Sequence, residues 1–459
     1  MKPARHVAVV DIGKTNAKLA LVDLDARAEV AALRQPNRPR TDGPYPHHDV
    51  EALWTFLLNG LAALRREHAI DAISVTTHGA TAAIVDAQGG LALPVLDYEF
   101  DGPDLLRSDY ERVRPPFSET GSPALPLGLN LGAQLFWQSR TFPEVFGRAA
   151  AILTYPQYWS WRLSGVMASE ATSLGCHTDL WNPHAADFSE LVDGMGWRRL
   201  FPPLRPAAAV LGPILPDIAT HTGLDPGTPV INGIHDSNAS LLPHLVDRRP
   251  PFAVVSTGTW VVAMAIRGRS ATLDPARDTL INVSALGAPV PSARFMGGRE
   301  FEELLADHSR EWDESDLSAV AEEKIMLLPA VVAGSGPFPN RRARWLCPEP
   351  DGGRRFVAVS FYLALMTATC LELVGAEGEI VVEGPFSANE PYLAMLEAAT
   401  GRSIVTNQDG GTGTSIGAAI LVRAAEAARP GYAASKPSLS RALRDYASAW
   451  KEAGGSAGK

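Results

Sequence analysis

The chain has 459 residues, 46% of them hydrophobic and 20% charged, with a formal net charge of −10. Such a length exceeds one ordinary core and predicts two or three domains of globular composition; the negative balance, with no Lys/Arg block to reverse it, argues against a nucleic-acid surface. Cys176, Cys347 and Cys370 lack ligand or disulfide spacing, so neither a zinc site nor a disulfide framework is expected and a reducing cytoplasm is the simplest compartment.

Behind Lys2 and Arg5 the apolar run is short and broken by Asp11, unlike a signal peptide. No uninterrupted apolar span reaches membrane length, so a soluble, unprocessed chain is expected. His6 to Asp23, HVAVVDIGKTNAKLALVD, reads as two strands around a polar turn, Gly13, Lys14, Thr15 and Asn16. Backbone N–H groups, a hydroxyl, an amide and an ammonium gather there beside the Asp11 carboxylate, a combination suited to a polyphosphate carried with a divalent cation. The segment Ala8-xxxx-Gly13-Lys14-Thr15 also fits a relaxed Walker A pattern, but Val9, Val10 and Ile12 would occupy the curl and Ala17 to Val22 show no helical period.

Glu29 to Gln35 adds a strand, and Asp49 to His68 places Leu53, Phe56, Leu57, Leu61 and Leu64 at helical spacing with Asp49 as N-cap. Ala69 to Thr76 is a buried strand ending at Thr77, His78 and Gly79, and Ala82 to Val85 with Leu91 to Val95 brackets a Gln88-Gly89-Gly90 turn. Proline and glycine break up Pro103 to Pro126; helix returns at Gly132 to Arg140 and Pro143 to Leu163, stopping at Gly165. Glu170 to Asp187 is irregular, and the proline-broken Phe201 to Pro216 is expected to wander over the surface as a rim. Pro229 to Asn232 is a strand, Asp236 opens a helix expected to stop at Pro243, and Val246 to Pro251 reads as an interdomain link.

Phe252 to Ser256, the turn Thr257-Gly258-Thr259 and Trp260 to Met264 then repeat the opening pattern of strand, small polar turn and strand. Two such hairpins, each opening a domain, predict two related halves that grip one nucleotide from both walls. Helices follow at Arg299 to Asp307, Ser315 to Glu323 and Phe356 to Val374; a strand, Ile380 to Val382, runs into Gly384 to Asn389, a helix reaches Thr400, and Ser403 to Thr406 is a further strand. A Gly-rich segment, Asp409 to Gly413, leads into a helix from Ser415 to Ala428, and 454–459 is expected to be a disordered tail. The domains are therefore expected at 1–247 and 248–453.

In Gly233-Ile-His235-Asp236-Ser237 the carboxylate has the chemistry to accept a proton from a substrate hydroxyl; a helix N-cap is the alternative. Gly411-x-Gly413-xxx-Gly417 misses the spacing of a dinucleotide fingerprint and fits either a helix opening beside a nucleotide or tight packing. His78 suits a substrate contact or a structural role at a strand end.

Five ordered stretches, VVDIGKTNAKLALVD, FPEVFGRAAAILTYPQYWSWRLSG, TGLDPGTPVINGIHD, VVSTGTW, and VEGPFSAN with SIGAAIL, resemble the FGGY family of carbohydrate kinases in the actin-like ATPase and sugar-kinase superfamily. The resemblance implies an α/β fold of two ribonuclease-H-like domains with a catalytic cleft between them, ATP and Mg2+ as cofactors, and a small sugar as partner. It implies Asp236 as catalytic base and Asp11, with Asp236, near the metal. Gly13, Lys14, Thr15 and Asn16, with Thr257, Gly258 and Thr259, would meet the phosphates, and Gly384, Asn389 and Gly411 the adenosine. His78, Gly79, Asp97, Tyr98, Gln134 and His235 fall where the family gathers sugar contacts. Lys14 and Asn16 depart from the serine, threonine and glutamine common in the first turn, and the lead into the last motif is longer. An ATPase without a sugar site and a sugar-sensing regulator on the same fold remain alternatives, the latter lacking a helix-turn-helix segment before the first strand. His235 before the base is similar to rhamnulose kinases, and Trp260 after the second turn to rhamnulose and fuculose kinases, which implies a ketose acceptor, a 6-deoxyketohexose such as L-rhamnulose or L-fuculose, with ketopentoses and small polyols left open. No nucleic-acid or membrane partner is expected, and a homodimer is left open.

Overall fold

The computed structural model describes residues 4–406, 413–423 and 440–455, which form two compact units. The first comprises Met1–Asp247, Ile281–Pro289 and Gly410–Pro430, the second Arg248–Leu280, Val290–Asp409 and Gly431–Lys459.

In the first unit the strand His6–Ile12 is fully apolar inside and pairs antiparallel with Asn16–Asp23, which pairs with Ala28–Pro36. On its other side His6–Ile12 runs parallel to Ala72–Thr77, every residue of which is buried, and Pro229–Ile231 and Ile234–His235 also lie parallel to that strand. A strand buried on both faces needs helices on each, which is why Ala72–Thr77 reads as a continuous apolar and small-residue run. The helices Tyr155–Ser164 and Thr414–Ile420 lie against that strand, while the helix Val50–Glu67 packs on its neighbours Asn16–Asp23 and Ala28–Pro36, with Leu53, Leu57, Leu61 and Leu64 buried and its N-terminus capped by Asp49 accepting the Ala52 N–H at 3.1 Å.

Three elements of this unit differ from expectation. Pro143 to Leu163 is not one helix: a turn of helix at Pro143–Phe146 gives way to a strand, Ala149–Thr154, and helix resumes at Tyr155–Ser164 with proline in its first turn. The alanines of that strand carry no β signal of their own; pairing with Ala82–Asp86 selects the extended form. Part of the presumed rim, Val210–Pro213, is an edge strand paired with Pro229–Ile231, a position where proline costs no ladder bond. Finally, Pro243 does not end its helix, which runs Asp236–Asp247 with Leu241, Leu242 and Leu245 buried beyond or around the proline. Proline leaves the Ala239 carbonyl without its usual intrahelical donor, and Gly417 of the short helix Thr414–Ile420 lies against it so closely that a Cβ there would be 1.7 Å from that oxygen. Thus Thr414–Ile420 belongs with the first unit, not with the residues on either side of it in sequence.

The second unit repeats the strand order. Phe252–Thr257 pairs antiparallel with Val261–Ile266, which pairs with Pro289–Phe295, while Glu379–Glu383 and Ile404–Thr406 extend the sheet in parallel. Its core is organised on the helix Gly352–Leu373, capped by Asp351 and buried almost throughout. By length and composition this helix could cross a membrane, contrary to the expectation that no span is long enough, yet 89% of its apolar window is buried inside the protein. Gly454, expected to open a disordered tail, belongs to the turn Lys451–Gly455; 456–459, Gly411 and the remainder of the Asp409 to Thr412 lead lie outside the described residues.

Candidate functional site

Within the first unit, the ends of the central strands converge. The turn after His6–Ile12 is closed by Gly13 N–H to Asn16 O at 2.9 Å and tied from outside by Asn37, whose backbone N–H donates to Thr15 O and whose Nδ2 donates to Gly13 O, both at 2.8 Å. Asn16 Nδ2 donates to Thr15 Oγ1 at 3.0 Å. Asp11, one residue before the end of its strand, lies opposite Lys18 in the hairpin register, with Lys18 Nζ 3.5 Å from Oδ2 and Ser415 Oγ donating to the same oxygen at 3.4 Å. Burial raises the Asp11 carboxyl above the ordinary aspartate range, Lys18 opposes this, and the negative charge of Asp236 adds to it.

Asp236 opens its helix immediately after the strand Ile234–His235, so the strand end delivers His235 and the helix start delivers Asp236. Three donors meet at one oxygen of this carboxylate: Ser237 N–H at 2.6 Å, Ser237 Oγ at 3.3 Å and His235 Nε2 at 3.1 Å, all on Oδ1. Burial pushes the carboxyl up, but the His235 charge and hydrogen bond, with His78 and the Ser237 N–H, outweigh it and hold the group below its usual range. The side chain stays 31% exposed. A carboxylate with one oxygen occupied and ionised at neutral pH is equipped to take a proton on the other.

His235 is buried; its Nε2 also meets Cys176 Sγ at 3.4 Å, and its Nδ1 meets Asn238 Nδ2 at 3.1 Å. The Cys176 thiol is drawn down to about 5: burial raises it, and the histidines His177 and His235 on either side more than reverse that. Gly79 lies against this pair, since a Cβ there would come within 2.8 Å of His235 Nε2. His78 is buried and held low by desolvation, with its ring 5.4 Å from Tyr98 and 5.3 Å from Tyr155. Gln134 Nε2 donates to Ala80 O at 2.6 Å and to Gly128 O, so its amide braces the loop below Tyr98. Lys14 turns away from its own turn. Its ammonium pairs with Asp97 and with Glu99 Oε2 at 3.2 Å and lies 5.0 Å over the Tyr98 ring.

The second unit holds its own cavity of about 720 Å³, lined by Gly258, Thr259, Phe301, Phe386 and Asn389 among others. It opens at the N-terminus of the helix Gly297–Leu305, a position that favours anions, and Arg299 N–H donates to Thr259 O at 3.4 Å. Phe301 and Phe386 stand 5.3 Å apart at an apolar wall fit for a planar ring. The Thr257 hydroxyl donates to Glu383 O and accepts the Phe386 N–H at 3.1 Å, joining strand to loop. Gly384 sits at φ 78° with Thr257 O where a Cβ would be, 1.9 Å away, so only glycine fits this approach. Asn389 spends its amide on Ser360 Oγ (3.0 Å) and on capping Tyr392 N–H (3.0 Å), while still lining the cavity.

Among the described residues, no group of three or more His, Cys, Asp or Glu side chains is placed to hold a metal ion. Sequence reasoning missed Lys18, Cys176, Asn238 and Ser415 beside the first-unit groups. Lys18 was recoverable, because a turn at Gly13 to Asn16 puts it across from Asp11; the others arrive from distant segments with no local signature. It also missed Arg299, Phe301, Glu302 and Arg310 around the second cavity.

Two family models match the chain, the N-terminal domain of the FGGY family of carbohydrate kinases over residues 114–243 and the carbohydrate kinase FGGY C-terminal domain over 249–430. An L-fuculokinase of Salmonella typhi is 28% identical over 271 residues, 57% of each chain, so the match spans little more than half the length of this curated relative. The crystal structure of a carbohydrate kinase from Novosphingobium aromaticivorans superposes with a TM-score of 0.90 at 36% identity, covering 98% of this chain and 99% of that one. That of a gluconate kinase from Lactobacillus acidophilus gives a TM-score of 0.77 at 16% identity over 98% and 96%.

Proposed function

Since this chain belongs to the FGGY family of carbohydrate kinases, we propose that it transfers the γ-phosphate of ATP to a hydroxyl of a small sugar, a ketose of the L-fuculose or L-rhamnulose kind. The observation that carries the reaction is Asp236, whose Oδ1 takes three donors while Oδ2 receives none of the hydrogen bonds given above. In this reading Oδ2 accepts the proton of the attacking hydroxyl, and Ser237 and His235 fix the carboxylate plane so that the lone pair is aimed before the acceptor arrives. His235, Gly79, His78, Tyr98 and Gln134 form the acceptor surroundings. Gly13, Thr15 and Asn16, and separately Gly258 and Thr259, supply the phosphate contacts through backbone N–H and small polar groups. Phe301, Phe386 and Gly384 serve the adenine and Asn389 holds that wall in place.

Asp11 and Asp236 offer hard oxygen donors, too few for a protein cage but fitting an ion that keeps water and phosphate ligands, as Mg2+ does. When bound with ATP, Mg2+ would neutralise charge on the transferring phosphoryl group. Asp11 is kept in reach of that role by Lys18 and Ser415 rather than closed off in a tight ion pair.

The ketose preference rests on the His235–Asp236 pair, in which the histidine orients the carboxylate that receives the proton, and on similarity to L-fuculokinases. A coupled assay of ADP release across ketoses, aldoses and polyols tests it. Turnover confined to an aldose or to glycerol overturns the ketose assignment, and ATP hydrolysis that no sugar stimulates overturns the kinase.

A further inference from the structure

Lys14 stands in the turn that the family's pattern devotes to phosphate, yet its side chain is committed elsewhere. Asp97 and Glu99 both take its ammonium, and the Tyr98 ring lies beneath it. Asp97 and Lys14 are well enclosed, with side chains 7% and 15% exposed, so this pair is not a solvated surface contact. Tyr98 connects the pair to the reacting centre: its ring edge meets His78 at 5.4 Å, and its hydroxyl feels the charges of Asp236 and Cys176 as well as those of Glu99 and Asp97.

Building on the kinase reading above, we propose that Lys14 is a specificity-determining residue for the acceptor and not a phosphate ligand, and that with Asp97 it selects a neutral, polyhydroxylated sugar over a sugar acid. An ammonium has three donors, and Asp97 and Glu99 leave one to meet a hydroxyl oxygen; Asp97, in turn, has a second carboxylate oxygen to accept a hydroxyl proton. A donor and an acceptor fixed side by side match two neighbouring hydroxyls of one sugar. Charge decides against an acid: Asp97 and Glu99 face Lys14 at contact distance while Asp236 faces His235, so three carboxylates meet two cations and an entering carboxylate meets an excess of like charge. The Lys14 backbone still belongs to the phosphate turn through the closure of Gly13 on Asn16, so one residue ties the two substrates together.

The test is steady-state kinetics and nucleotide-free calorimetry with D-xylulose and L-fuculose as neutral probes and D-gluconate as the acidic one. Lys14→Met is expected to raise KM for the neutral sugar about tenfold or more, as for a lost hydrogen bond to a charged group, with KM for ATP changed less than about twofold. Lys14→Arg, which keeps the pair with Asp97, is expected to recover part of that loss, and Asp97→Asn to reproduce it should Lys14→Met fail to fold. A rise in KM for ATP with sugar KM unchanged overturns the proposal in favour of phosphate binding, as does a Lys14→Met enzyme with both constants unaltered. D-gluconate turned over as well as the neutral sugars overturns the charge selection. Failure of the kinase reading is separable, because there the native chain itself releases no ADP with any sugar.

Discussion

Glu300 gives the sharpest test of how burial controls the second unit. It lies on the helix Gly297–Leu305 at 1% exposure, where its carboxyl accepts the Val332 N–H at 3.0 Å and the Tyr362 hydroxyl at 2.9 Å. Burial raises its pKa from 4.5 to about 7, more than those two hydrogen bonds lower it. Between these values the folded protein holds a proton that the unfolded chain has released, so stability is full below pH 4.5, falls as pH rises, and levels off above about 7. At about 1.4 kcal/mol per pH unit the loss is about 3 kcal/mol. Glu300→Gln keeps the shape and removes the titration. Urea unfolding followed by far-UV circular dichroism, at a series of pH values from about 4.5 to about 8, should show the native protein losing stability relative to Glu300→Gln by that amount. Parallel curves for the two proteins across the interval would refute the reasoning.

Asp236→Asn should lower kcat by about 100-fold or more while sugar and ATP KM stay within a few-fold, the pattern of a lost general base; activity within about tenfold of native would leave Asp236 as a helix-starting residue only. Asp11→Asn should raise the Mg2+ concentration needed for half-maximal rate and leave sugar affinity unaltered, so normal kinetics at limiting magnesium would remove it from the metal's surroundings. Gly417→Ala should destabilise the first unit by about 1–3 kcal/mol, because its Cβ would lie 1.7 Å from Ala239 O and the two helices must part; an unchanged unfolding midpoint would contradict that packing.

Both hairpins were legible in the sequence because each writes its geometry in adjacent residues: apolar alternation, one glycine, small polar groups, then alternation again. The helix Val50–Glu67 was equally legible from the period of its leucines and the cap at Asp49. What failed to show was whatever depends on a distant partner. Ala149–Thr154 is extended because Ala82–Asp86 pairs with it, and Lys14 points where it does because Asp97, 83 residues on, takes its charge. Motif position points Thr257 and Asn389 toward a ligand, and no local motif specifies Glu383, Phe386, Ser360 and Tyr392, which engage the Thr257 hydroxyl and the Asn389 amide.

The helix Thr414–Ile420 has a bearing on biosynthesis. It fills the space beside Ala239, and the Ala418 carbonyl accepts the buried Ser74 hydroxyl at 2.7 Å. Ribosomes emit chain from the N-terminus at about 5–20 residues per second, so Ser74 emerges long before its acceptor exists. Until residue 418 clears the exit tunnel, that hydroxyl and the face around Ala239 stay unsealed, and the unit that begins first is completed only after nearly all of the other has been made. A nascent chain paused between the two stages therefore carries the Ser74 hydroxyl without the Ala418 carbonyl that it donates to in the finished fold.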